Sequence, residues 1–371
     1  MSKVPEFDFL VSQKSVQQKR NLVIFKLNNF PRLLVGAGIN LKQHPGMTAQ
    51  KFYRWLDELI GDEPHTFQLR TIKPMLADLL CYVQSQDQPP GEAIPRNSDA
   101  LLQAGTYALF NEGSADSPYC GSLGPPYEVL SLKEAWKSLE GLDNTMQVTE
   151  ETYAAEGNSL IQSLAVEQKS QCFLTKRTGI PLLQVWIFPE TMRWGHGGLA
   201  ANTECWEILA NLITIGVDLF PVWCANLISL DCNDPTGCRM VVFDELSKFE
   251  LSDDTRKALE KQKKKVPFLI PQDPEIRKFW NMHFPWTLRV HVGGGDLTDD
   301  IDESELLNVV DDLDENNRNG DFRFGDSKFN PSGDYEHLGA MVKEVWMKGK
   351  QPNESKESGS GSVKGEERQG K

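Results

Sequence analysis

Apolar and polar positions follow two different periods along the first third of the chain. Residues 21–36, NLVIFKLNNFPRLLVG, hold two apolar runs broken by Asn-Asn-Phe-Pro, a turn signal, and predict two short strands. Behind Thr48 the spacing changes. In AQKFYRWLDELIG the residues Phe52, Leu56 and Ile60 recur on one face, which predicts a capped amphipathic helix. IKPMLADLLCYVQ, after Arg70, predicts a second helix, and LLQAGTYALFN predicts a strand. Loops rich in Gln, Asp, Pro, Gly and Ser separate these pieces, and SLKEAWKSLEGL predicts a further short helix. Residues 1–145 therefore read as an N-terminal α+β unit without a chemical motif.

A polar helical run after Thr149 leads into QCFLTKRTGIPLLQVWIFPE, residues 171–190, where two apolar strands around KRTG predict a hairpin. Residues 202–214, NTECWEILANLIT, place Trp206, Leu209 and Ile213 on one helical face. GVDLFPVWCANLISL reads as strand on both sides of Pro221, and RMVVFDEL as another strand. SDDTRKALEKQKKK predicts an Asp-capped basic helix. Residues 296–321 are strongly acidic, and the closing stretch QPNESKESGSGSVKGEERQGK has the composition of a disordered tail. No internal repeat is visible. The division expected is an N-terminal unit over 1–145, a second domain over 150–295 and a tail over 296–371.

Charge and cysteine usage narrow the function classes. The net charge of −14 repels polyanions, so contact with nucleic acid needs a local basic patch or a metal. The N-terminus has no signal-peptide core, and ANLITIGVDLFPVW is too short to span a bilayer and carries Asp218 and Pro221. No membrane role is expected. Seven cysteines at irregular spacing do not make a secreted disulfide frame, which points to an intracellular protein, cytoplasmic or nuclear. Cys172, Cys205, Cys224, Cys232 and Cys238 fall in one region, but Cys232-x5-Cys238 is not a zinc knuckle, so buried free thiols are expected.

The order of features after residue 171 resembles the HNH-nuclease-like domain found in fungal proteins. The matching pieces are Cys172-Phe-Leu-Thr175, Val185-Trp-Ile-Phe-Pro189, Cys205-Trp-Glu-Ile-Leu209, Asn226-Leu-Ile-Ser-Leu230 and Val241-Val-Phe243. WNMHFPWTLRVHVGGGD resembles the helix and Gly-containing segment that close such domains, and the likeness covers about a third of the chain. It implies an α+β protein with a ββα-metal core, a divalent cation (Mg or Mn) and phosphodiester hydrolysis. In that chemistry a neutral imidazole at the end of the second hairpin strand takes a proton from water, and the metal polarises the phosphate. An asparagine orients the base, and the helix brings a further His or Asn to the metal.

This chain departs from the pattern at the base. The resemblance puts Trp186 where the imidazole belongs, and an indole offers an N–H donor but no basic lone pair. Asn226 takes the place of the middle asparagine. The late histidine would fall within DCNDPT, which has none, leaving Asn233 and Asp234 as oxygen ligands for a hard metal. His196, in RWGHGGLAAN, approaches Asn226 if its loop folds back and is otherwise a loop residue, while His291 reads as structural. The expectation is a degenerate member with weak or lost activity. Two alternatives stay open. One is a non-catalytic interaction module, with nucleic acid on Arg256, Lys257, Lys261, Lys263, Lys264 and Lys265 or a protein partner on the acidic tail. The other is a nucleotide-sugar transferase using the Gly-rich loop 195–198, which matches neither standard phosphate-loop pattern.

Overall fold

The computed structural model describes residues 11–27, 33–60, 67–78, 81–85, 87–112, 119, 170–188, 209–270 and 273–296. The fold is α+β. Its first layer is a sheet of six strands: β1 (Leu22–Leu27), β2 (Leu33–Ile39), β3 (Phe67–Thr71), β4 (Pro74–Asp78), β5 (Cys81–Gln84) and β6 (Gly105–Asn111). They lie in the order β3-β6-β1-β2-β5-β4, and only the β1–β6 contact is parallel.

Alternation along these strands sorts side chains onto two apolar faces. Leu22, Ile24, Leu69, Tyr107 and Leu109 face one core, while Val23, Phe25, Ala108 and Phe110 face a second. β2 changes phase halfway, with Leu33 and Val35 on the second face but Ala37 and Ile39 on the first. The cause is a bulge: Ile24 pairs with Ala37 and Phe25 with Val35, so Gly36 is the extra residue. The first face is covered by α2 (Ala49–Ile60), opened by Thr48, whose Oγ1 accepts from the Lys51 N–H at 3.2 Å. The second face is covered by α1 (Gln13–Gln17) and the two residues before it, through Val16 and Val11.

The helix expected after Arg70 is instead the β4–β5 pair. Pro74 suits the edge strand it opens, where a missing N–H costs no ladder bond, and Tyr82 pairs with Leu33 of β2. Sheet pairing outweighs a short helical pattern here.

The second half contains β7 (Leu182–Trp186), β8 (Leu212–Gly216), α3 (Phe220–Cys224), β9 (Ile228–Asp231), β10 (Arg239–Val242), α4 (Asp253–Lys263) and α5 (Pro274–His291). Three expectations are corrected. Residues 171–188 do not form a two-strand hairpin: the turn closes on a single Gln171–Thr178 bridge, and β7 pairs antiparallel with β8. Where the expected helix was to run to Thr214, the described residues from Leu209 form a 3-10 turn, Leu209–Asn211, and then strand β8, whose Ile213-Thr214-Ile215 is β-branched throughout. Pro221 does not interrupt a strand but lies in the first turn of α3, where its fixed φ is already helical. The basic helix forms as expected, although Ser252 rather than Asp supplies its N-cap oxygen, accepting from the Thr255 N–H at 3.2 Å.

α5 ties the halves together. Ile276, Phe279, Trp280, Trp286 and Val290 enter the core formed with β7, β8, α3 and β9. Phe284, Leu288 and Val292, one turn apart, enter the core beneath the six-stranded sheet. β10 does the same with a period of two, sending Met240 and Val242 to one core and Val241 and Phe243 to the other. After α5 the backbone joins the sheet, with Gly38 donating to Val292 at 2.8 Å and Gly294 donating to Gly36 at 2.9 Å.

Candidate functional site at the end of strand β7

Trp186 ends β7 opposite Leu212 and is half-buried against the core formed with β8, α3 and β9. The chain around it is gripped from two elements. Its carbonyl accepts from the Trp223 indole N–H of α3 at 3.2 Å. The next N–H, of Ile187, donates to the Asn211 carbonyl at 2.6 Å. The Asn211 side chain then takes both backbone groups of Phe188: Oδ1 accepts its N–H at 2.9 Å and Nδ2 donates to its carbonyl at 2.8 Å. Asn211 and Phe188 are both buried, so these bonds satisfy groups that would otherwise be costly. The amide thus replaces a neighbouring strand where the β7–β8 ladder ends.

The result is a strand, a strand and a short helix meeting at residues 186–188. α3 brings Phe220, Trp223 and Cys224 to this unit, and burial pushes the Cys224 thiol up to about 11. Asp218, just before α3, accepts from Thr255 Oγ1 at 2.6 Å. The His283 imidazole of α5 lies parallel to the Trp223 ring of α3 with centroids 4.8 Å apart. It is fully buried, its Nδ1 is 2.7 Å from Ser229 Oγ, and burial lowers its pKa to about 3. It is a neutral core ring.

Asn226, the expected orienting amide, is buried just beyond α3 in a left-handed turn, φ +53°, with its N–H donating to the Trp223 carbonyl at 2.9 Å. The amide that grips the chain after Trp186 is Asn211. It escaped notice in the sequence because residues 202–214 read as helix; its signal was the β-branched run that follows it. His291 is buried, its Nε2 3.2 Å from the Ala225 carbonyl and its pKa lowered to about 3 by burial above all.

Asn233 and Asp234 sit in the β9–β10 turn, on contacts of their own. Asn233 Nδ2 donates to Glu58 of α2 at 2.9 Å. Asp234 accepts from the N–H and hydroxyl of Thr236, at 2.9 and 2.6 Å, and lies 3.5 Å from Arg239 and 3.7 Å from Arg54. Burial raises its pKa, but the Thr236 bonds, with Arg239 and Lys51 nearby, outweigh that and hold the carboxyl below its ordinary value. Among the described residues no group of three or more His, Cys, Asp or Glu is arranged to hold a metal ion.

The predicted basic residues divide. Arg256 donates to the carbonyls of Leu246, Phe249 and Leu251, at 2.9, 2.6 and 3.3 Å, and so serves as an internal clamp. Lys257, Lys261, Lys264 and Lys265 are exposed, and Lys263 is half-buried. His196, the Gly-rich loop 195–198 and the acidic stretch from 297 onward lie outside the described residues, as do the helices expected at 131–142 and 150–169. Among the described residues no helix is long and apolar enough to cross a membrane. Comparison of the chain with protein-family models, characterised proteins and solved structures returns no match.

Proposed function

We propose that this chain carries an HNH-type, ββα-metal nuclease-like module that does not cleave phosphodiesters. The observation that carries the reading is the corner at Trp186. By the resemblance the end of this strand is the place of the base, and the Asn211 amide braces the chain there. The side chain at that place is an indole, which cannot accept a proton from water. The helix that should supply a metal ligand offers Phe220, Trp223 and a buried thiol. This donor set does not fit a hard divalent cation, which takes oxygen ligands. Asp234 is already compensated by Arg54, Arg239 and Thr236. No hydrolytic step is therefore routed through a metal here.

The test is incubation of the purified chain with supercoiled plasmid and Mg²⁺ or Mn²⁺. The expected result is no nicking above buffer, for the parent and for Trp186→His alike, since one imidazole restores neither the metal ligands nor their geometry. Robust nicking that Asn211→Ala or Asn226→Ala abolishes overturns the reading.

A second reading, a binding role towards nucleic acid, is favoured by the exposed Lys257, Lys261, Lys264 and Lys265 on and just after α4. Their field works against a net charge of −14, so binding should be weak and should fall steeply with salt. In a gel-shift titration at low salt, Lys261→Glu with Lys264→Glu should remove the shift. Absence of any shift in the parent protein excludes this role.

A further inference from the structure

The β9–β10 hairpin holds a feature unconnected with the Trp186 corner. Asp231 pairs with Arg239, and the same register carried one step further sets Cys232 opposite Cys238. Their Sγ atoms are 3.3 Å apart. Directly opposed residues of an antiparallel pair have Cα atoms about 4.5–5.5 Å apart, inside the range a disulfide spans. Bonding therefore asks only for side-chain rotation that brings the sulfurs to about 2.05 Å.

The backbone on either side is already fixed. The Cys232 carbonyl accepts from Arg277 at 3.0 Å, and the Cys238 carbonyl accepts from the Phe268 N–H at 2.6 Å. Between them a tight turn closes through Gly237, whose N–H donates to Asp234 at 2.9 Å and whose φ of +109° favours glycine. Cys172 is held differently, its sulfur accepting from the N–H groups of Thr175 and Gly216 at 3.4 and 3.3 Å.

We propose that Cys232 and Cys238 are a modification site: a reversible intramolecular disulfide formed with a peroxide as oxidant. Peroxide converts one thiol to a sulfenic acid and releases water. The second sulfur then attacks the sulfenic sulfur, the S–S bond forms, and a second water leaves. Two thiols lose two hydrogens and two electrons, and one peroxide becomes two waters. Peroxide is the class that fits because the residues are only 5% and 9% exposed, which admits a small neutral oxidant and excludes a bulky disulfide donor. The bond between the two thiols and their burial hold the Cys232 thiol well above its ordinary value, so the reaction is slow and accelerates with rising pH. The cross-link would stiffen the turn whose Asn233 and Asp234 reach Glu58 and Arg54 of α2.

The experiment uses the full chain, reduced, desalted and treated with hydrogen peroxide, then denatured and alkylated with iodoacetamide for peptide mass mapping. The expected product links Cys232 to Cys238, lacks alkyl groups there, is lighter by two hydrogen atoms and reverts with dithiothreitol. Closing so short a loop should raise the thermal midpoint by about 5 °C. Cys238→Ala should lose the linked peptide and the shift, whereas Cys224→Ser should keep both. Where Cys238→Ala does not fold, mapping of the parent protein decides alone. If both residues stay alkylated under peroxide that fully oxidises a small-molecule dithiol, or if either pairs with another cysteine, the proposal fails.

Discussion

His283 and His291 are buried in α5, where burial strips hydration from the charged imidazolium. Their pKa values fall from 6.5 to about 3, with burial as the main cause in each. Between those two pH values the unfolded chain holds more protons than the folded one. The stability from keeping them neutral is therefore complete above about pH 6.5 and is lost as pH falls towards 3. Each ring contributes a slope of about 1.4 kcal/mol per pH unit in that window, and the pair about 3. Urea midpoints measured from pH 7.5 down to pH 4.5 should show that loss together with a like one from His44, whose pKa burial above all also lowers to about 3, so His283→Gln should remove about a third of the total. A flat profile would show that these rings are not held neutral. Asn211 makes a second argument at this scale. Replacing it with Ala strips the partners from a buried N–H and a buried carbonyl of Phe188. The expected cost is about 2–4 kcal/mol by chemical denaturation, because each unsatisfied group carries its own desolvation penalty.

Between elements, the contact of α2 with the β9–β10 hairpin is centred on the Arg54–Asp231 ion pair. Arg54 meets both oxygens of Asp231 at 2.6 Å, and the Trp55 indole N–H adds a bond of 3.2 Å to the same carboxylate. Asp231 is fully buried, so Arg54→Ala leaves an uncompensated charge and should cost about 3–5 kcal/mol in denaturant unfolding. A change under 1 kcal/mol would mean that water reaches the carboxylate. Local pattern announced some elements and hid others. The strands at 22–39, the helix behind Thr48 and the basic helix were legible because each has one clear period and its own end signals. β4 and β5 were not, because β5 joins the sheet through Leu33, far back in the chain, and a short apolar run looks the same in helix or strand. At the candidate site the loss of an imidazole at Trp186 could be read directly, since it is a matter of residue type. Its bracing by Asn211 and Trp223 could not, because it depends on β7 pairing with a strand that begins at Leu212.

Across the whole molecule, the core formed with β7, β8, α3 and β9 and the core under α2 share α5 and β10, and this makes them one cooperative object. Trp280 and Trp286 pack into one core while Phe284 and Leu288 of the same helix pack into the other. The helix end is also pinned to the N-terminal half: the buried Arg20 guanidinium donates to the carbonyls of His291, Gly293 and Gly294 at 2.8, 3.1 and 2.6 Å, and Lys14 reaches Gly293 at 2.9 Å. These cations satisfy carbonyls that a helix terminus leaves open and oppose its negative end. Neither core can lose α5 and keep its apolar surface covered. Chains of this size often unfold in stages, but a shared helix removes the boundary along which stages form. Urea unfolding followed by far-UV circular dichroism and by tryptophan fluorescence should therefore give coincident midpoints. Leu288→Ala, which removes packing from the sheet-side core, should shift both signals together, by about 2–5 kcal/mol. If that substitution moves one transition and leaves the other in place, the halves fold independently and α5 belongs to only one of them.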